Sequence, residues 1–76
     1  MNFEQLRDLI VDTLGCDENK ITETARLSDD LGIDSLDAVD LVMNIEEQYG
    51  VKIPDEELGN MVTVSDVLTA IEKYKA

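Results

Sequence analysis

The sequence predicts an all-α domain: a small bundle of three main helices and one short one, with a long loop between the first two. Two observations carry this. Apolar residues recur at helical spacing in three separate stretches, while no stretch alternates with the two-residue period of a strand. Each stretch is also bracketed by cap and stop residues. With 76 residues, 43% of them apolar, the chain suits one folded domain over residues 1–76. Such a domain has no spare core to hollow into a deep enzyme cleft.

The first helix is expected from about Phe3 to Leu14. Asn2 with Gln5 three positions on has the pattern of a capping box. Phe3, Leu6, Ile10 and Leu14 fall on one face with Leu9 beside it, and Glu4, Asp8 and Asp12 lie opposite. Gly15 stops the helix.

Residues 16–34 form the long loop. Ile21, Leu27, Leu31 and Ile33 recur through it, so it is expected to pack against the bundle rather than hang free. Asp29-Asp30 and Gly32 supply turn chemistry.

The second helix runs from about Ser35 to Tyr49 and ends at Gly50. Pro54 favours a helix start, and Asp55-Glu56-Glu57 complement a positive helix N-terminus. One or two short turns are therefore expected from Asp55 to about Asn60. The last helix begins after Thr63, with Asp66 three residues on. Val64, Val67, Leu68, Ile71 and Tyr74 form its apolar stripe, and Lys73 and Lys75 suit its negative end.

Charge narrows the function. Eighteen acids against six bases give a formal net charge of −12. Such a chain repels nucleic acid and anionic membranes, and attracts proteins with basic patches. The imbalance is concentrated in the middle. From Ser28 to Asp66 there are eleven acids (Asp29, Asp30, Asp34, Asp37, Asp40, Glu46, Glu47, Asp55, Glu56, Glu57 and Asp66) and one base, Lys52.

Histidine is absent, which removes the usual general base and the usual zinc ligand. Cys16 is alone, so it reads as a small semi-buried residue and no disulfide framework is expected. No apolar run exceeds three residues, so neither a membrane span nor a signal peptide is expected, and the location reads as cytoplasmic. A calcium loop of the EF-hand type needs an acid five residues before its glycine. Gly15, Gly32, Gly50 and Gly59 have Ile10, Leu27, Ile45 and Pro54 there, so no specific metal site is expected.

The second helix carries more apolar surface than one core needs. At 100° per residue, Ala38, Leu41, Val42, Ile45 and Tyr49 share the core arc. Leu36, Val39 and Met43 fall on roughly the opposite side, with Asp40 and Glu47 among them and Asp37 and Glu46 flanking. This second stripe either packs under the loop or the short helix, or forms an exposed docking strip. The interspersed carboxylates favour the strip, because burying that side would bury unpaired charge.

Ser35 stands where the loop meets this helix. From the residues alone it reads as the helix N-cap, a role Asp34 could fill as well, with Asp37 near. It is not a catalytic serine, since no histidine is available as base. A phosphate diester on its hydroxyl would sit at the positive end of a helix.

Asp34-Ser35-Leu36, followed by Asp37-Ala38-Val39-Asp40-Leu41-Val42-Met43 and Glu46-Glu47, closely resembles the prosthetic-group segment of bacterial-type acyl carrier proteins. Ile53-Pro54-Asp55-Glu56-Glu57 resembles the segment that follows it. The resemblance spans the chain in length and helix order and is strongest from Leu31 to Glu57. Asp40 and Tyr49 depart from it mildly, where glutamate and phenylalanine are common.

The resemblance implies a non-catalytic carrier, monomeric, with 4′-phosphopantetheine attached to Ser35 by a separate phosphopantetheinyl transferase that uses coenzyme A and magnesium. It implies acyl cargo, most directly that of fatty acid biosynthesis, with polyketide, D-alanyl and peptidyl carriers as the alternatives within the class. An unmodified acidic helical adaptor is the alternative outside it. Basic patches on acyl-synthase enzymes would dock at Asp34, Leu36, Asp37, Asp40, Met43, Glu46 and Glu47. Val42, Ile45, Leu58, Met61, Leu68 and Ile71 would line an acyl cavity and serve as ordinary core when no acyl chain is present.

Overall fold

The computed structural model describes residues 2–75. Helix α1 spans Phe3–Leu14, α2 spans Ser35–Tyr49 and α3 spans Val64–Tyr74. A single 3₁₀ turn, Glu18–Lys20, lies in the long loop, and a 3₁₀ helix, Asp55–Asn60, precedes α3. The three main helices and the short one agree with the expected boundaries. The short helix has the tighter 3₁₀ winding, as suits a six-residue piece.

Local chemistry explains each start and stop. In α1 the Asn2 side chain accepts from the Gln5 N–H at 2.8 Å, and Gln5 Oε1 accepts from the Asn2 N–H at 2.9 Å. In α3 the same reciprocal pair joins Thr63 and Asp66. Helices α1 and α2 both end on a glycine in the left-handed region, Gly15 at φ 70° and Gly50 at φ 66°, where a side chain would be strained.

The core is aliphatic. Leu6 and Ile10 of α1, Leu41 and Ile45 of α2, and Val64, Val67 and Ile71 of α3 are its fully enclosed side chains. Asn44 of α2 donates to Thr13 Oγ1 of α1 at 2.7 Å, joining the two helices at the edge of that core. Leu9 is also buried, while Phe3 and Leu14 close the ends of α1 half-buried. Tyr49 departs from expectation. Helical spacing puts it on the core arc of α2, but it is exposed, at the last helical residue before Gly50. Val51 and Ile53, just past that glycine, are buried instead.

The long loop is structured throughout. Ile21, Ala25, Leu27 and Ile33 are buried and Leu31 is half-buried. Its middle is stitched to the segment that enters α3. Arg26 and Thr63 form an isolated antiparallel bridge, the Leu27 N–H donates to the Val62 carbonyl at 2.9 Å, and the Val64 N–H donates to the Ala25 carbonyl at 3.0 Å. Such a long-range pairing has no local signature in the sequence.

Candidate functional site

The chain reaches α2 through Ile33, which is buried and whose N–H donates to the Leu27 carbonyl at 2.8 Å. That anchor sets the register of the next residues. Asp34 falls at the N-cap, with extended backbone, and its Oδ1 accepts from the Asp37 N–H at 2.8 Å. Ser35 is therefore the first helical residue and not the cap that its position suggested. The carboxylate one residue earlier already fills the capping geometry.

With Asp34 at the cap, the Ser35 hydroxyl is free. It is exposed, and no base lies within hydrogen-bonding reach of it among the described residues. Among the described residues the Ser35 and Leu36 N–H groups likewise find no acceptor, since Asp34 serves only Asp37 and Ala38. An anion attached to Ser35 would meet these donors and the positive end of a fifteen-residue helix. The site can hold a phosphate diester.

A cleft of about 570 Å³ opens beside Ser35. Three segments wall it: Leu27 and Ile33 from the loop, Ala38 and Val39 from α2, and Leu58, Met61 and Val62 from the short helix and the segment after it. The walls are apolar, while Arg26, Ser28, Asp29 and Asp34 bring polar groups to the lining. Arg26 is held by Asp29 at 3.4 Å and Asp30 at 3.6 Å, exposed pairs that contribute little to stability. The Arg26 backbone N–H donates to Asp30 Oδ2 at 2.8 Å, and this bond holds the Asp30 carboxyl below its ordinary value, with the guanidinium charge adding to it.

The second stripe of α2 faces outward. Leu36 is 77% exposed and Met43 59%, and Val39 is just exposed. Asp34, Asp40 and Glu47 are exposed and Asp37 is half-buried. Glu46 differs. It is half-buried, and its Oε2 accepts from the Ile53 N–H at 2.7 Å, so one oxygen fixes the connection after α2. Asp34 and Glu46 thus carry structural duties beside any docking role.

The six cavity candidates separate into two groups. Leu58 and Met61 reach the cleft beside Ser35. Val42, Ile45 and Ile71 are enclosed in the core, and Leu68 packs half-buried against it. The short helix that carries Leu58 is held from below, because Glu57 Oε1 accepts from the Tyr74 hydroxyl at 3.0 Å and pairs with Lys73 at 3.5 Å. The bond to Glu57 pushes the Tyr74 hydroxyl up, and the Glu57 charge raises Lys73.

Arg26 and Val62 were not among the sequence candidates. Met61-Val62 shows only that two apolar residues are adjacent outside a helix, not which one turns inward. Cys16 is half-buried, and burial, then the Asp37 charge, push its thiol up, so it stays protonated at neutral pH. Among the described residues, no helix is long and apolar enough to cross a membrane, and no three His, Cys, Asp or Glu side chains are grouped to hold a metal ion. Residues 4–71 match the family model described as a phosphopantetheine attachment site.

Proposed function

The chain belongs to the phosphopantetheine-attachment family and is a carrier protein of the acyl carrier type; from that premise we propose that its prosthetic group is attached at Ser35 and that it serves fatty acid biosynthesis. The family is defined by attachment of 4′-phosphopantetheine. The observation that carries the assignment to Ser35 is the division of labour at the start of α2. Asp34 takes the cap, which leaves an exposed hydroxyl among unused helix N–H groups at the mouth of an apolar cleft.

When attached, the group supplies a terminal thiol on which acyl groups are held as thioesters. The chain's own residues do three things. Ser35 provides the point of attachment. The first turn of α2 favours the phosphate charge there. Leu36, Met43, Asp37, Asp40 and Glu47 present an apolar strip with an acidic rim to enzymes that carry basic patches, so the rim steers encounter and the strip supplies affinity. The activating machinery belongs to a separate phosphopantetheinyl transferase.

The test is incubation with coenzyme A, magnesium and a transferase of broad range, followed by intact mass measurement. The wild type gains one phosphopantetheinyl group and Ser35→Ala gains none. A gain that persists in Ser35→Ala would move the attachment elsewhere. The fit of Asp34-Ser35-Leu36 and its neighbours to bacterial-type carriers supports the fatty acid pathway. The acyl group on protein purified from its source decides it, with a polyketide, D-alanyl or peptidyl load pointing to another pathway.

A further inference from the structure

Across the cleft from α2 stands one exposed apolar side chain that the fold does not use. Val62 is 55% exposed, while Met61 before it and Val64 two residues on are buried. Its backbone is nonetheless fixed at both ends. The Val62 N–H donates to Asp66 Oδ2 at 3.0 Å, beside the capping pair that starts α3. Its carbonyl accepts from the Leu27 N–H at 2.9 Å. Valine has a single stiff side-chain torsion. A partner that covers Val62 therefore orders almost nothing that is not ordered already, which is the condition under which small apolar contacts yield affinity.

Val62 and Val39 both line the cleft that Ser35 borders. Asp29 and Asp34 line it too, and among the described residues Arg26 is the one cation in its lining, engaged by Asp29 and Asp30. The complement of this surface is an apolar side chain framed by basic residues.

We infer that Val62 is a docking contact. The surface that partner enzymes engage has two sides, α2 and the segment leading into α3. The partner seats an apolar side chain between Val39 and Val62, and its basic residues face Asp29, Asp34 and the acids of α2. The inference rests on the carrier reading and deepens it, because it places the partner over the mouth of the cleft rather than along α2 alone.

The test uses the full chain, a phosphopantetheinyl transferase as the probe, and Val62→Thr. This substitution keeps shape and backbone bonds and removes apolar contact. Three readouts are needed: transferase kinetics, the Kd of the transferase for a Ser35→Ala background, and the unfolding temperature. The expected result is a rise of about fourfold in KM and in Kd, the scale of losing one buried methyl-sized group, with kcat and the unfolding temperature unchanged. KM and Kd unchanged, while the wild type is modified normally, would overturn the inference and leave the carrier reading standing. A lower kcat or unfolding temperature at constant Kd would also overturn it, by making Val62 structural. No mass gain on the wild type would overturn the carrier reading, and this inference with it.

Discussion

Helices α2 and α3 solve different problems. Helix α3 is accounted for by folding alone. It buries Val64, Val67, Ala70 and Ile71 and turns Ser65, Thr69, Glu72 and Lys73 outward. Helix α2 buries Leu41, Val42 and Ile45 just as fully, yet keeps Leu36 and Met43 in solvent among carboxylates. The apolar residues of α3 are explained by the core. Those of α2 exceed what the core uses, and the excess is the surface proposed for docking. An apolar side chain that costs solubility and adds no packing points to a partner.

The sharpest way to break this comparison is to treat both kinds of apolar residue alike. Ile45→Ala and Ile71→Ala should each cost about 2–5 kcal/mol, the usual cost of truncating an enclosed aliphatic side chain. That is a large share of the stability of a domain this small. Thermal unfolding followed by circular dichroism should show midpoints lowered by about 10 °C or more, or no cooperative transition. Leu36→Ala on the same helix should stay within about 0.5 kcal/mol of wild type. Equal losses at Leu36 and Ile45 would mean that the outer stripe of α2 supports the fold, and the division would fail.

The second effect is on recognition. Leu36→Ala and Met43→Ala should each raise the transferase KM by about tenfold, equivalent to about 1.4 kcal/mol. Asp40→Lys should weaken the same interaction and flatten its dependence on salt. Kinetics at two ionic strengths check this. Unchanged KM in all three variants would remove α2 as the docking side.

A smaller effect separates the two N-termini. Asp66→Ala leaves the Thr63 cap in place but removes the carboxylate that accepts from the Thr63 and Val62 N–H groups, the other half of the α3 capping box, and should cost about 1 kcal/mol. Asp34→Ala removes the cap of α2 and should cost about the same. Asp34 belongs to the proposed docking surface itself, so its variant should raise the transferase KM more than Asp66→Ala, which reaches that surface only through the Val62 backbone. Urea unfolding and steady-state kinetics, measured on both variants, separate cap from contact.

The sequence displays caps and stops well because they are local. Asn2 with Gln5, Thr63 with Asp66, and Gly15 and Gly50 each act within four residues. Where the reading failed, a distant contact decided. Asp34 and Ser35 are both able to cap α2, and the choice between them follows from Ile33 being tied to Leu27. Tyr49 sits on the core arc of an ideal helix, yet Val51 and Ile53 occupy the interior there. The bridge between Arg26 and Thr63 joins residues 37 positions apart, so neither residue betrays it. The chemistry of the α2 segment was legible, while the cleft beside it required the fold.

The smallest expected effect concerns the loop that walls that cleft. The Asp30 carboxyl is held below its ordinary value by the Arg26 N–H and then by the Arg26 charge. A depressed folded-state value means that the carboxylate form stabilises the fold. This contribution is fully present above the unfolded value, near 3.8, and is lost as pH falls through the lower folded value. Self-repulsion works the other way. With a net charge of −12, neutralising carboxylate charge as pH falls should raise stability. The two are separated by Asp30→Asn, which keeps an oxygen to accept from Arg26 but carries no charge. Asp30→Asn should unfold at a slightly lower temperature than wild type at pH 7 and pH 5, and the deficit should close as pH falls below 3.8. A deficit that persists at low pH would assign the effect to lost hydrogen-bond geometry. No deficit at neutral pH would show that the loop is held by its buried residues, Ala25, Leu27 and Ile33, rather than by the carboxylate at its rim.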